Sequence, residues 1–188
     1  MIYYTADLHF GNFNIIKYEH RPFTDVDDMN LGLIDNWNQR VTDKDDVYIL
    51  GDFAFTGTNL SKEALNNLVD RLKGKKHLII GNHDKFITNK YFNERLWEEI
   101  VPYKEIKDWY YKKDGDSRLK TSVDVVLCHY PIESWNCQHY GSIHIHGHLH
   151  SKPTLIKQAN RYNVGVDLWN YYPVTLSEII NGEVFRDE

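Results

Sequence analysis

Lys76-His77-Leu78-Ile79-Ile80 runs directly into Gly81-Asn82-His83-Asp84. The apolar run reads as a buried strand. An amide, an imidazole and a carboxylate then follow within three residues, where the strand stops. Gly81 lets the backbone turn sharply and approach whatever is bound there. Ligands of open α/β sheets gather beyond the carboxyl ends of the strands. Alone, the same tetrapeptide is equally an ordinary polar turn, so the rest of the chain has to decide.

Two more strands read in the same way on the N-terminal side. Ile2–Ala6 ends at Asp7-Leu8-His9, and Asp46–Leu50 ends at Gly51-Asp52. Between them, Met29, Leu33, Ile34 and Trp37 recur at helical spacing, with Asp25 or Asp27 as cap. Ala64, Leu65, Leu68, Val69 and Leu72 form a second amphipathic helix, with Ser61 as its cap and Gly74 where it would stop. A loop with Gly11 and Asn12 precedes Arg21-Pro22-Phe23, which excludes a helix there. Strand, helix, strand, helix, strand is the pattern of parallel βαβ units.

The second half is richer in strands. Tyr103–Tyr111 and Val123–Leu127 predict a hairpin about a turn at Asp114-Gly115-Asp116-Ser117. Cys128-His129 follows the second of these strands. Ser142–His146 is a further strand, ending at Gly147-His148-Leu149-His150. Asn163–Val166, Val174–Leu176 and Glu183–Phe185 read as short strands. No repeat or interdomain linker interrupts the 188 residues, so one domain over 1–188 is expected.

Composition narrows the classes. Hydrophobic content of 41% and charged content of 26% fit a globular protein, and no stretch reaches the ~20 apolar residues of a membrane span. A net charge of −5 disfavours a nonspecific nucleic-acid binder. Two cysteines, Cys128 and Cys137, make no disulfide framework, and with no secretory signal visible a cytoplasmic location is expected. Ten histidines against two cysteines point instead to imidazole ligation of a transition metal.

Five predicted strand ends thus carry Asp7 and His9, Asp52, Asn82 and His83, His129, and His148 and His150. Singly each has a bland explanation, and His129 alone is more often structural. Mixed oxygen and nitrogen donors without thiolate suit Mn²⁺, Fe or Zn²⁺, and a carboxylate shared between two ions is the usual basis of a binuclear centre. His144 and His146 read as structural or supporting. The segment from Pro131 to Gly141, with Trp135, His139 and Tyr140, is either a lid over the site or surface packing.

The ordered set Asp7-x-His9, Gly51-Asp52, Gly81-Asn82-His83-Asp84, His129 and Gly147-His148-x-His150 resembles the calcineurin-like metallophosphoesterase family. A weaker likeness, to a compact bacterial and phage subgroup, rests on Arg21-Pro22-Phe23, Asn36-Trp37-Asn38 and Asn163-Val164-Gly165-Val166-Asp167. The resemblance implies an α/β fold, a two-sheet β-sandwich flanked by helices. It implies that Asp7, His9 and His150 hold one metal, that Asn82, His129 and His148 hold a second, and that Asp52 bridges them. It implies His83 as the residue facing the substrate and protonating the leaving oxygen, with Asp84 orienting its ring. Two divalent ions follow, Mn²⁺ first, with Fe, Zn²⁺ or Ni²⁺ as alternatives. The reaction implied is phosphate-ester hydrolysis by a metal-bound hydroxide, on a diester in preference to a monoester. The alternatives are a phosphomonoesterase, a single-strand nuclease, or a protein-binding scaffold without catalysis. Asn12 stands where the subgroup has histidine, so it could donate to a phosphate oxygen but not move a proton. Arg21 reads as a bidentate clamp on the substrate phosphate, the alternative being a pair with one of the nearby aspartates. The partner expected is a small phosphate ester, a nucleotide among the candidates, with no membrane and with the oligomeric state left open.

Overall fold

A computed structural model describes residues 1–57, 60–114, 117–153 and 158–185. The first sheet contains β1 (Ile2–Thr5), β2 (Asp46–Ile49), β3 (Lys75–Ile79) and β4 (Glu99–Val101), parallel throughout and in that order. The second contains β5 (Tyr103–Asp114), β6 (Ser117–Cys128), β7 (Ile143–His146) and β8 (Arg161–Asn163), again in sequence order. Here β5 and β6 form the expected antiparallel hairpin, while β7 and β8 add in parallel. Gly115 and Asp116 of the predicted turn lie outside the described residues.

Strand alternation divides the core in two. Tyr3, Val47, Ile49 and Leu78 face a cluster with Met29, Leu33 and Trp37 of helix α2 (Val26–Arg40) and Leu65, Leu68 and Val69 of helix α3 (Lys62–Arg71). Their neighbours Tyr4, Tyr48 and Ile79 point the other way, into a second cluster with Val125, Leu127, Ile143 and Ile145 of the second sheet. The strands of the first sheet are apolar on successive residues because both their faces are covered. A buried polar bond crosses between the sheets, with Tyr4 Oη donating to Asp108 Oδ2 at 2.8 Å, and Lys104 Nζ of β5 bonds Glu99 Oε1 of β4 at 2.7 Å nearer the surface.

The helix caps follow local chemistry. Asp25 accepts from Asp28 N at the start of α2, and Ser61 accepts from Ala64 N at the start of α3. Four readings of the sequence need correction. Residues after Gly11 form a short helix, Phe13–Tyr18, capped by Asn12 rather than a loop. β4 escaped notice because it is only three residues long and only partly buried. Val174 makes a single bridge to Tyr4, and a capping box between Thr175 and Glu178 then opens a helix at Leu176–Asn181, so Val174–Leu176 is not a strand. Gly182, at φ 65°, ends that helix, and Glu183–Phe185 adopts no strand. Among the described residues no helix is long and apolar enough to cross a membrane.

Candidate metal centre

The carboxyl ends of β1, β2, β3, β6 and β7 converge on one rim. Backbone bonds tie the loops that leave them, with Asp7 N donating to Gly51 O, His9 N to Asp52 O, and Gly147 N to His129 O, each at 3.0 Å. The approach is close enough that glycine is required. A Cβ on Gly81 would stand 2.4 Å from the nitrogen of Asp52, and one on Gly147 would stand 2.8 Å from Asp7 Oδ2.

Two donor sets result. Asp7, His9 and His150 each offer an atom within 4.8 Å of the others, and so do Asp52, His129 and His148. Asp52 Oδ2 lies 3.6 Å from His9 Nε2 and 3.5 Å from His129 Nε2, so one oxygen stands between the sets. Asn82 Oδ1 joins the second set, 3.0 Å from His129 Nε2 and 3.1 Å from His148 Nδ1. Donors coordinated to a common ion at roughly 2.1 Å are themselves about 3–3.5 Å apart, the spacing seen here. His9 supplies a further test of fit. It is 2% exposed and neither ring nitrogen has a hydrogen-bond partner, an expensive arrangement unless a cation completes it.

The remaining polar atoms hold the donors in place. His129 Nδ1 donates to Leu50 O at 2.7 Å and His150 Nδ1 to Asp167 Oδ2 at 2.9 Å. Each leaves its other nitrogen for a ligand. Asp7 accepts from His148 N through both oxygens, at 3.1 and 2.9 Å. Burial, with smaller contributions from His150 and Arg21, pushes His9 down to about 2. Burial lowers His129 and His148 as well, so these rings are neutral, the form that binds metal. Burial opposes the charge on His150, but its bond to Asp167 and the charge of Asp7 outweigh it and raise the pKa. Burial raises Asp7 to about 7 against the pull of His150, a cost that a bound cation would reverse.

Left-handed backbone falls on five of the same residues, as it does on His20, Cys137, Asn160, Asn170 and Tyr171 elsewhere. Among the described residues, Asp7, His9, Asp52, His148 and His150 all have φ between 51° and 71°, where non-glycine residues are uncommon.

The sequence-predicted residues are distributed as follows. All of Asp7, His9, Asp52, Asn82, His129, His148 and His150 come together. His83 is exposed beside them, its ring centroid 5.3 Å from that of His9. Asp84 does not orient His83. It is 1% exposed and accepts from the backbone N–H groups of Gly81, Asp52 and Phe53 at 2.7, 2.9 and 2.7 Å. Burial raises its pKa to about 6 against those three bonds. Arg21 is not a phosphate clamp either. It is buried, its Nε and Nη2 bond Asp167 at 2.8 and 3.1 Å, and its Nη1 and Nη2 bond Leu8 O and Asp7 O at 2.9 and 2.7 Å. Asn12 spends its side-chain oxygen on Asn14 N as a helix cap.

Asp167 is the residue that sequence reasoning left without a role. It joins His150 to Arg21 across 146 positions of chain, and spacing carries no signal of that. His144 is structural, with Nδ1 3.1 Å from Val126 O and Nε2 3.0 Å from Tyr130 O and 3.3 Å from Ile132 N. Trp135 is 7% exposed, packed 5.3 Å from the His144 ring, and so belongs to the core rather than to a lid, whereas Tyr140 is 92% exposed.

No family model matches the chain. Its sequence is 36% identical over 194 residues to the uncharacterized protein MJ1445 of Methanocaldococcus jannaschii, covering 98% of this chain and 94% of that one. It is 30% identical over 188 residues to the gene 66 protein of Mycobacterium phage L5, covering 89% and 86%. It is 29% identical over 190 residues to that of phage D29, covering 90% and 89%. The crystal structure of AQ665, a protein of unknown function from Aquifex aeolicus, superposes with a TM-score of 0.63 over 93% of this chain and 94% of that one, at 23% identity, and so shares the fold. The chain therefore belongs to the family of the archaeal protein MJ1445 and the gene 66 protein of phage L5.

Proposed function

We propose that the chain is a metal-dependent hydrolase of phosphate esters, a calcineurin-like metallophosphoesterase acting on diesters in preference to monoesters. The observation that carries this reading is Asp52 Oδ2, standing 3.6 Å from His9 and 3.5 Å from His129 with a complete donor set on either side. Two divalent ions, Mn²⁺ first, would supply an activated water and neutralise the phosphoryl oxygens. The chain's own residues do the rest. Asp7, His9 and His150 would hold one ion, Asn82, His129 and His148 the other, and Asp52 would be shared. His83, exposed beside His9, holds the proton for the departing alkoxide. Neither Arg21 nor Asp84 touches substrate in this scheme, since both are spent on internal bonds.

A metal-by-substrate screen tests the proposal. Protein saturated with Mn²⁺, Ni²⁺, Zn²⁺ or Mg²⁺ is assayed on bis-p-nitrophenyl phosphate, p-nitrophenyl phosphate, cyclic nucleotides and single-stranded oligonucleotides, with the bound metal counted. Two ions per chain and a preference for the diester are expected. One ion or none after Mn²⁺ saturation removes the binuclear site, and two ions without turnover of any ester leaves a scaffold.

A further inference from the structure

The edge of the second sheet presents an open strand whose sequence complements itself. The strand β5 pairs with β6 on one side only, in unbroken register from Tyr103 to Asp114. Trp109 N donates to Asp108 Oδ1 and Tyr111 N to Ser177 Oγ, so the N–H groups of odd-numbered residues point away from β6. By the alternation of an antiparallel ladder, those of Tyr103, Glu105 and Lys107 point outward too. Neither their backbone N–H nor C=O groups find a partner among the described residues beyond β5 itself. The helix at Leu176–Asn181 covers the edge at Tyr111, where Asn181 Nδ2 also bonds Tyr111 O. Pro102 bounds the other end. What stays open is Tyr103-Lys104-Glu105-Ile106-Lys107-Asp108-Trp109.

Folded back on itself about Ile106, this segment matches along its solvent face, where Glu105 meets Lys107 and Tyr103 meets Trp109. Lys104 and buried Asp108 are already held within the chain, by Glu99 and by Tyr4 Oη and Trp109 N, and the Glu105 carboxylate also accepts from Tyr103 Oη and Asn136 Nδ2. On the solvent face Tyr103 is 41% exposed and Trp109 53%, large apolar groups for an edge. The Lys107 side chain is 76% exposed, and among the described residues its ion pair is a 3.5 Å contact with half-exposed Asp124. An open edge of this length is normally blunted, because its unpaired backbone groups template another strand.

We propose that β5 pairs antiparallel with β5 of a second copy of this chain across Ile106, joining two four-stranded sheets into one of eight. The two central pairs, Glu105 with the Lys107 of the second copy and the reverse, would exchange four backbone hydrogen bonds. Each pair also sets opposite charges directly across from one another, and two Tyr–Trp pairs flank them.

Sedimentation of the intact protein up to about 100 μM tests this by mass action. Twice the 22.3 kDa chain mass is expected. Glu105→Lys and Lys107→Glu each place like charges opposite one another and should raise the dissociation constant at least about tenfold. The double variant restores opposite charges and should return the dimer. Lys107→Pro removes an N–H that only the second copy would use, and should give a monomer with an unchanged circular dichroism spectrum. A wild-type monomer at the highest concentration, with the two lysines acting as edge guards, overturns the proposal. So does a double variant that stays monomeric while either single variant dimerises normally.

Discussion

The backbone N–H of His83 donates to Asp52 Oδ1 at 2.8 Å, which leaves Oδ2 of the same carboxylate aimed between His9 and His129. Residue 83 therefore does two separable things. Its main chain aims the shared carboxylate, and its side chain faces outward. His83→Ala keeps the first and deletes the second. On the proposed chemistry the variant retains two ions per chain by elemental analysis, while kcat on bis-p-nitrophenyl phosphate falls about 10²–10⁴-fold. A wild-type rate would remove His83 from the reaction.

The Arg21–Asp167 pair is buried on both sides, with side chains 0% and 2% exposed. Asp167→Asn should leave the guanidinium without its counter-charge and lower the unfolding free energy of the metal-free protein by about 3–5 kcal/mol in urea titrations. The same change loosens His150, so affinity for the ion held by Asp7, His9 and His150 should fall about 10–100-fold. Arg21→Met should cost similar stability but spare that affinity, since the bond from His150 to Asp167 survives. Calorimetric titration with Mn²⁺ separates the two variants.

Asp84 gathers three N–H groups from two loops. Asp84→Ala leaves them buried and unpaired, so a loss of at least about 3 kcal/mol is expected from chemical denaturation. Asp84→Asn keeps one acceptor oxygen and should cost less. Equal, negligible losses would show that water replaces the carboxylate.

The candidate donor residues were legible because each sits within four residues past the end of an apolar strand, and a strand end is a local signal. The roles of Arg21 and Asp84 were not. Arg21 meets Asp167 only after the second sheet has formed, and Asp84 acts on backbone groups 31 and 32 residues earlier. No side-chain spacing encodes either relationship. The helix at Leu176–Asn181 was missed for a different reason. Its capping box, Thr175 with Glu178, stands in the sequence, but the apolar Val174 before it reads as strand and does bridge to β1. The division of the core was foreseeable from the alternation of Tyr3 and Tyr4, or of Val47 and Tyr48, once both faces of the first sheet were known to be covered.

Burial pushes the His144 pKa below its ordinary 6.5, against the bonds that its ring makes to Val126 O and Tyr130 O. The unfolded chain then takes up a proton first as the pH falls. The stability His144 contributes is thus complete above about pH 6.5 and is lost as the pH drops below that value toward the lowered folded one. The advantage of the wild type over His144→Gln in thermal unfolding should narrow between about pH 7.5 and 5. An advantage that stays constant would show that the ring takes up its proton as readily in the folded protein as in the unfolded chain.

The left-handed backbone at Asp7, His9, Asp52, His148 and His150 bears on how such a chain evolves. Each of these positions would be more comfortable as glycine, by about 1–3 kcal/mol at the strained backbone. Mutation alone would carry a lineage with no use for the site toward that residue. His9 is the plainest case, because its ring nitrogens have no hydrogen-bond partner among the described residues. Aspartate and histidine at all five positions thus keep donor atoms on the rim at a backbone cost that glycine would relieve.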